Sequence, residues 1–223
     1  MQCSHPPRTP RKALKVAIYA RQLPGDRALE LCEAFAQRGD LSWTAYARPD
    51  LADDELFAAM KNAGCHTVMM GVESADDELL AVYEKGYRAT EVTAAFQRAH
   101  RHGLRTVGTF IIGLPEETEA SLQATLDLAI ALDMDFLSLN VAVPRFGTPF
   151  RARVLELGLA NRHELVMDQG GEETFLPTQT MDRVRMLELK KRMVRRFYLR
   201  PSYWWRRLKD VKSLYELRAQ LVE

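Results

Sequence analysis

From about Lys15 onward, short β-rich runs alternate with helical stretches, and this alternation constrains the fold more than any other feature of the chain. Five runs stand out: KVAIYA at Lys15, LSWTAYAR at Leu41, TVMMGVES at Thr67, RTVGTFIIGLP at Arg105 and FLSLNVAVP at Phe136. A repeated strand-then-helix order builds a parallel sheet covered by helices. Several runs are apolar at consecutive positions, which predicts strands buried on both faces. Right-handed crossovers curl such units into an open barrel, and five units fall short of the eight that close one. The expected class is α/β, an incomplete barrel of about five parallel strands followed by C-terminal helices.

The intervening segments carry helix signals. Asp50 precedes DELFAAMKNAG, which stops at Gly64. Ser74 with Asp77 approximates a capping box for the next helix, and Thr90 is placed to cap EVTAAFQRAHRHG, which ends at Gly103. Leu122, Leu126, Ala129 and Ile130 recur on one face of the helix after Pro115. Past Pro149 the pattern changes, and a polar, Gly-containing stretch (NRHELVMDQGGEETFLPTQ) leads into a long basic helix near Thr180. The expected organisation is a tail or misplaced start over 1–14, a barrel over 15–160 and a helical extension over 161–223.

Charge and cysteine usage narrow the function classes. The 31 Lys and Arg nearly cancel the 30 Asp and Glu, so global charge directs the chain toward neither nucleic acid nor anionic membrane. Cys3, Cys32 and Cys65 are an odd, widely spaced set that matches no disulfide framework and no compact metal site. They read as reduced thiols of a cytoplasmic protein, with Cys32 and Cys65 serving packing. No apolar run is long enough to span a bilayer, and MQCSHPPRTPRK has no secretory h-region.

In parallel α/β folds ligands gather at the carboxyl ends of the strands. Those ends carry Arg48, Glu73 with Ser74, the turn from Gly113 to Glu117, and the segment from Pro144 to Pro149. An arginine, a carboxylate and a glycine turn around one rim suit a polar, zwitterionic ligand. The competing reading is that Arg48 and Glu73 pair with each other or with helix ends.

The segments TAYARPDLADDELFAAMKNAGCHTVMMGVES, GTFIIGLPEET and VAVPRFGTPF, in this order, resemble successive signatures of the radical S-adenosylmethionine superfamily. They resemble in particular the group whose members often carry a cobalamin-binding domain ahead of the radical domain. FYLRPSYWWRRL resembles the helical extension common in that group. The resemblance implies a partial (β/α)6 barrel in which a [4Fe-4S] cluster binds and cleaves S-adenosylmethionine, and the resulting 5'-deoxyadenosyl radical takes hydrogen from a substrate. It matches Glu73 to the carboxylate near the ribose or amino group of S-adenosylmethionine and Arg48 to a basic position within reach of the methionine carboxylate. Ile112 and Gly113 match the segment whose backbone borders the adenine, where a missing Cβ lets a flat base approach. Gly147 and Thr148 match the turn after the last strand, to which we assign structure ahead of chemistry.

The departures are as informative. In this family a C-x-x-x-C-x-x-C loop after the first strand gives three thiolates to the cluster. This sequence has no such spacing, so KVAIYA corresponds to the family's second strand. The expectation is an S-adenosylmethionine-binding part of a [4Fe-4S]-dependent radical enzyme, inactive alone because the C-x-x-x-C-x-x-C loop is absent and in need of a missing N-terminal part. As an uncovered edge, KVAIYA predicts poor solubility or self-association. Cobalamin would enter only through a further domain: HRHG at His100 to Gly103 has Arg98 where the cobalamin motif has Asp, and reads as a helix end. The aromatics of KKRMVRRFYLRPSYWWRRLK are expected to pack on the barrel, with Arg200 to Pro201 breaking the helix. The alternative is a non-catalytic partner protein whose basic C-terminal helix contacts anionic membrane or RNA.

Overall fold

The structure is a computed structural model and describes residues 12–15, 25–161, 163 and 176–210. KVAIYA beyond Lys15, the N-terminal tail with Cys3, and most of the polar stretch after Asn161 lie outside the described residues. The chain divides into two compact units, Met1–Phe110 and Ile111–Glu223, and the boundary falls inside a strand.

The first unit opens with β1 (Lys12–Lys15), α1 (Gly25–Arg38) and β2 (Leu41–Ala47). A 3-10 turn over Pro49–Leu51 leads to α2 (Asp54–Asn62) and β3 (Cys65–Glu73). α3 (Asp77–Val82), α4 (Ala89–Arg101) and β4 (Arg105–Ile112) follow. The strands pair in parallel in sequence order, with Lys12 opposite Leu41, Trp43 opposite Cys65 and Thr67 opposite Arg105.

Three helix starts differ from the sequence expectation. Asp53, not Asp50, caps α2 by accepting from Leu56 N–H, and Asp76, not Ser74, caps α3 by accepting from Glu78 and Leu79 N–H. α4 begins after Arg88, whose N–H donates to Glu91 at 2.8 Å, so Thr90 lies inside the helix. At its far end His102 and Gly103 terminate α4, with Gly103 at φ +64°. Arg101 and His102 reach back to Asp54 at 3.1 and 2.9 Å, so HRHG is a helix end.

Strand burial also departs from expectation, and the departure positions the site. In β3, Val68, Met70 and Val72 are fully buried beneath helices, while Met69, Gly71 and Glu73 are half-buried on the opposite face. The same period of two appears in β4, where Thr106, Gly108 and Phe110 bury and Thr109 does not. One sheet face is therefore core and the other lines a cavity. The core side holds Trp43, Phe57, Val92 and Phe96, with Trp43 Nε1 donating to Ala63 C=O at 2.9 Å. Each such fully buried apolar side chain contributes roughly 2 kcal/mol of transfer free energy. Cys32 and Cys65 are buried there too, and burial pushes their thiols up to about 11 and about 12. They are packing residues, as their pattern predicts.

The second unit contains α5 (Glu119–Ala131), β5 (Phe136–Val141) and α6 (Pro149–Glu156), then α7 (Arg183–Tyr198) and α8 (Pro201–Asp210). Leu122 and Leu126 of α5 join Ile112, Val141, Met181, Met186, Leu189 and Met193 in one core cluster. Met186, Leu189, Met193 and Phe197 recur at helical spacing and form the buried face of α7. The helix breaks between Tyr198 and Pro201. Of the aromatics in that region Phe197 and Tyr203 bury, with the Arg200 guanidinium 3.9 Å from the Phe197 ring centre, whereas Trp204 and Trp205 are exposed. No described helix is long and apolar enough to cross a membrane.

Candidate functional site

The half-buried sheet face of the first unit floors a cavity of about 270 Å³. Met69, Gly71 and Glu73 of β3, Thr109 of β4 and Tyr46 of β2 line it, with Arg48 beyond the end of β2. Lys85 and Tyr87, from the loop between α3 and α4, complete it. Pockets that enclose a whole drug-sized ligand run to roughly 300–1,000 Å³, so this one suits a part of a molecule.

Glu73 occupies the cavity through an unusual backbone. Its φ is +64°, the left-handed region that costs a residue with a Cβ roughly 1 kcal/mol or more. The pairing of β3 with β4 shifts register between Gly71 and Glu73, which places the carboxylate at the rim. Burial raises its pKa above the ordinary carboxylate value, partly offset by Lys85, whose Nζ lies 3.4 Å from Oε1. Gly71 makes room for this arrangement: a Cβ there would stand 2.9 Å from Glu73 Oε1 and 3.4 Å from the Tyr87 hydroxyl.

Arg48 is engaged elsewhere. Its Nε and Nη2 donate to the two Asp50 carboxylate oxygens at 2.9 and 2.8 Å, and Nη2 also donates to Lys85 C=O at 2.9 Å. Its guanidinium lies 5.3 Å from the Tyr87 ring centre, and the Asp50 hydrogen bonds raise its pKa further. Tyr87 in turn donates its hydroxyl to Gly71 C=O at 3.0 Å, and burial raises its pKa. Arg48 and Tyr87 thus clamp the loop that carries Lys85, in which Glu84 and Gly86 both have positive φ. Arg48 and Glu73 share the cavity without pairing with each other. Ser74 is buried and does not line it; its Oγ accepts from Asp76 N–H at 3.1 Å and shapes the turn into α3.

In the second unit, Ile112 is buried in the core cluster and its C=O accepts from Ala142 N–H at 2.8 Å. Gly113 turns the chain at φ +88°, and its N–H donates to Glu117 Oε2 at 2.6 Å. The Leu114 N–H donates to the same oxygen at 3.2 Å. Gly147 has φ +75°, and Thr148 caps α6 by accepting from Arg151 N–H at 3.2 Å, so both serve structure.

Lys85 and Tyr87 are the functional candidates that sequence reasoning missed, and Glu117 was named only as the end of the turn that begins at Gly113. Lys85 and Tyr87 sit in an irregular loop with no periodic pattern to mark them. Glu117 carries the signal of a carboxylate four residues beyond a turn glycine, which does not by itself disclose its role.

The residues present fit a small polar zwitterion: a carboxylate and an ammonium face one cavity, and a glycine leaves the space a side chain would fill. They do not fit an iron-sulfur cluster. Among the described residues no group of three or more His, Cys, Asp or Glu could hold a metal ion, and the two described thiols are buried and kept protonated.

Comparison with known proteins gives this geometry its setting. The Radical SAM superfamily matches residues 14–129. An uncharacterized methyltransferase of Pyrococcus horikoshii is 34% identical over 180 residues, covering 79% of this chain and 38% of that protein. The bacteriochlorophyllide d C-12(1)-methyltransferase of Chlorobaculum tepidum is 29% identical over 124 residues, covering 55% of this chain and 27% of that protein. The chain therefore spans well under half the length of these relatives. Among solved structures, the radical S-adenosylmethionine methyltransferase TsrM of Kitasatospora setae, with cobalamin and a [4Fe-4S] cluster bound, aligns with a TM-score of 0.55. It is 20% identical and is matched over 78% of this chain and 37% of its own. The cobalamin-dependent enzyme OxsB aligns with a TM-score of 0.58 at 16% identity, over 92% of this chain and 37% of its own. At these identities the likeness shows the fold alone, a partial barrel of parallel strands and helices.

Proposed function

We propose a function from one premise: the chain belongs to the radical S-adenosylmethionine superfamily, and its first-unit cavity binds the polar, zwitterionic part of S-adenosylmethionine for a [4Fe-4S]-dependent radical enzyme. The observation that carries this reading is Glu73, a strained strand-end carboxylate held in a cavity with an ammonium as its ionic partner. Strain of this kind persists where the surroundings impose it, and it clusters at ligand sites.

The residues divide the work. Glu73 accepts hydrogen bonds from the ligand's ammonium or ribose hydroxyls, and its raised pKa marks a carboxylate short of solvation that such donors would supply. Arg48 adds positive potential, but it donates its hydrogen bonds to Asp50 and the loop carbonyl. Lys85 is therefore the better partner for the ligand's carboxylate, since its 3.4 Å contact with Glu73 is loose enough to exchange. Tyr87 fixes the loop. Within the second unit, the family resemblance matches the backbone at Ile112 and Gly113 to the segment that borders adenine. When bound, S-adenosylmethionine supplies the carbon–sulfur bond whose cleavage begins the family's chemistry. The two relatives above are named methyltransferases, which favours methyl transfer as the reaction class.

Isothermal titration of the full chain with S-adenosylmethionine tests the reading. Saturable binding is expected, weakened about tenfold or more in Glu73→Ala and in Lys85→Ala, as for loss of a charge-assisted hydrogen bond. Absence of binding by the wild-type chain, or binding by both variants as tight as wild type, would sink it.

A further inference from the structure

The turn after β4 is held from both sides by groups that belong to no ligand. On one side the Glu117 carboxylate, 1% exposed, accepts the Gly113 and Leu114 N–H groups at 2.6 and 3.2 Å. Successive backbone N–H groups in a tight turn form a concavity that attracts anions. Here the chain fills that concavity with its own side chain. On the other side, the segment that precedes α7 supplies the donors. Gln179 N–H donates to Pro115 C=O at 2.9 Å, and the Thr180 hydroxyl donates to Glu117 C=O at 3.0 Å.

That segment is itself rigid. Thr178 is buried, its N–H donates to Met181 C=O at 2.9 Å, and its hydroxyl oxygen accepts from Thr180 and Met181 N–H at 3.2 and 3.0 Å. Met181 lies in the second unit's core cluster. One turn into α7, Arg185 pairs with Glu119 in the first turn of α5. A continuous path of hydrogen bonds and packing thus runs from α7 through the exposed Gln179 and Thr180 to the buried Glu117 carboxylate and the backbone of Gly113.

We infer that Glu117 and Thr180 are positioning residues: together with Gln179 they latch the Gly113 turn to the C-terminal extension and so set the affinity of that turn for an adenosine moiety. The inference rests on the reading above that Gly113 borders adenine. Its physical basis is that Gly113 stands at φ +88°, a value for which a glycine has no intrinsic preference. Glu117 and the strap impose it. The extension is then a working part of the binding unit, and whatever displaces α7 loosens the turn.

The test combines amide hydrogen exchange with ligand selectivity in the full chain. In Glu117→Ala, exchange at Gly113 and Leu114 should accelerate about tenfold or more, with partial rescue in Glu117→Gln, which keeps one oxygen acceptor. Thr180→Val is the milder variant and keeps the test decisive if Glu117→Ala does not fold. It should accelerate exchange at the same two amides severalfold. It should also weaken S-adenosylhomocysteine and adenosine while leaving methionine affinity unchanged, a split that general destabilisation does not produce. Wild-type exchange rates at Gly113 and Leu114 in Thr180→Val would overturn the latch. Faster exchange with unchanged S-adenosylhomocysteine affinity would overturn the positioning role through the adenine reading on which it rests. Equal weakening of methionine and adenosine would overturn it as mere loss of structure.

Discussion

Glu73 and Glu117 are both glutamates that follow parallel strands, and the structure uses them in opposite ways. Glu117 is enclosed and satisfied by backbone donors at 2.6 and 3.2 Å. Glu73 stands at a cavity with its backbone at φ +64° and one ionic contact at 3.4 Å. The first carboxylate is committed to its own chain, and the second is left exchangeable. A carboxylate at a strand end is thus no indicator of ligand binding by itself. What separates the two is whether nearby N–H groups have already claimed it.

The largest effect that would break this contrast is on stability. Glu117→Ala leaves two N–H groups in a buried turn without their acceptor, at a cost of about 3 kcal/mol in urea-unfolding free energy. Glu73→Ala should cost less than about 1 kcal/mol, because the carboxylate lost is poorly solvated and loosely paired. Equal losses would mean that Glu73 is as structural as Glu117.

The next effect concerns the space around Glu73. Gly71→Ala places a methyl group 2.9 Å from Glu73 Oε1, so the carboxylate must move, while the strand conformation at residue 71 accepts alanine. Affinity for S-adenosylmethionine should fall about tenfold, with a stability change within about 1–2 kcal/mol. Unchanged affinity would remove the carboxylate from the site. Tyr87→Phe comes third. It deletes the hydroxyl that donates to Gly71 C=O at 3.0 Å, and a lost hydrogen bond of this kind costs about 1 kcal/mol. Proteolysis within residues 83–88 should accelerate if this bond holds the loop, and an unchanged rate would assign the clamp to Arg48 alone.

The sequence disclosed the strands more fully than the site. β2, β4 and β5 begin at the expected Leu41, Arg105 and Phe136, and β3 begins two residues early at Cys65, because apolar runs between turn signals are local information. The caps were less legible. ARPDLADDEL offers several aspartates in succession, and the 3-10 turn at Pro49–Leu51 draws Asp50 to Arg48 and leaves Asp53 to start α2. The expectation that Arg48 and Glu73 face one rim rests on strand direction and accords with their common cavity. Nothing in the pattern could disclose that Arg48 is bound by Asp50, or that Lys85 returns to Glu73 from a loop twelve residues on. Such pairings depend on two positive-φ residues, Glu84 and Gly86, which set the loop's path without leaving a periodic trace. Glu117 was visible only as part of a turn, because its partner strap lies more than sixty residues away in sequence.

The smallest effect is the pH dependence contributed by Glu73, and its sign tests the contrast most directly. Burial raises the folded-state pKa of Glu73 above its ordinary 4.5, and the attraction of Lys85 only partly reverses this. A folded state that holds the proton more tightly than the unfolded state loses stability as pH rises between the two values. Glu73 therefore costs nothing below about pH 4 and carries its full cost once pH exceeds the raised folded value. Glu73→Gln has no such titration, so its stability relative to wild type should rise from pH 4 to pH 7 in paired denaturant series. A ligand ammonium or hydroxyl donor supplies the solvation that burial takes from the carboxylate, so saturating S-adenosylmethionine should reduce that difference. If wild type instead gains on the variant as pH rises, Lys85 outweighs burial, and Glu73 is a satisfied carboxylate, held by Lys85 as Glu117 is held by its backbone donors.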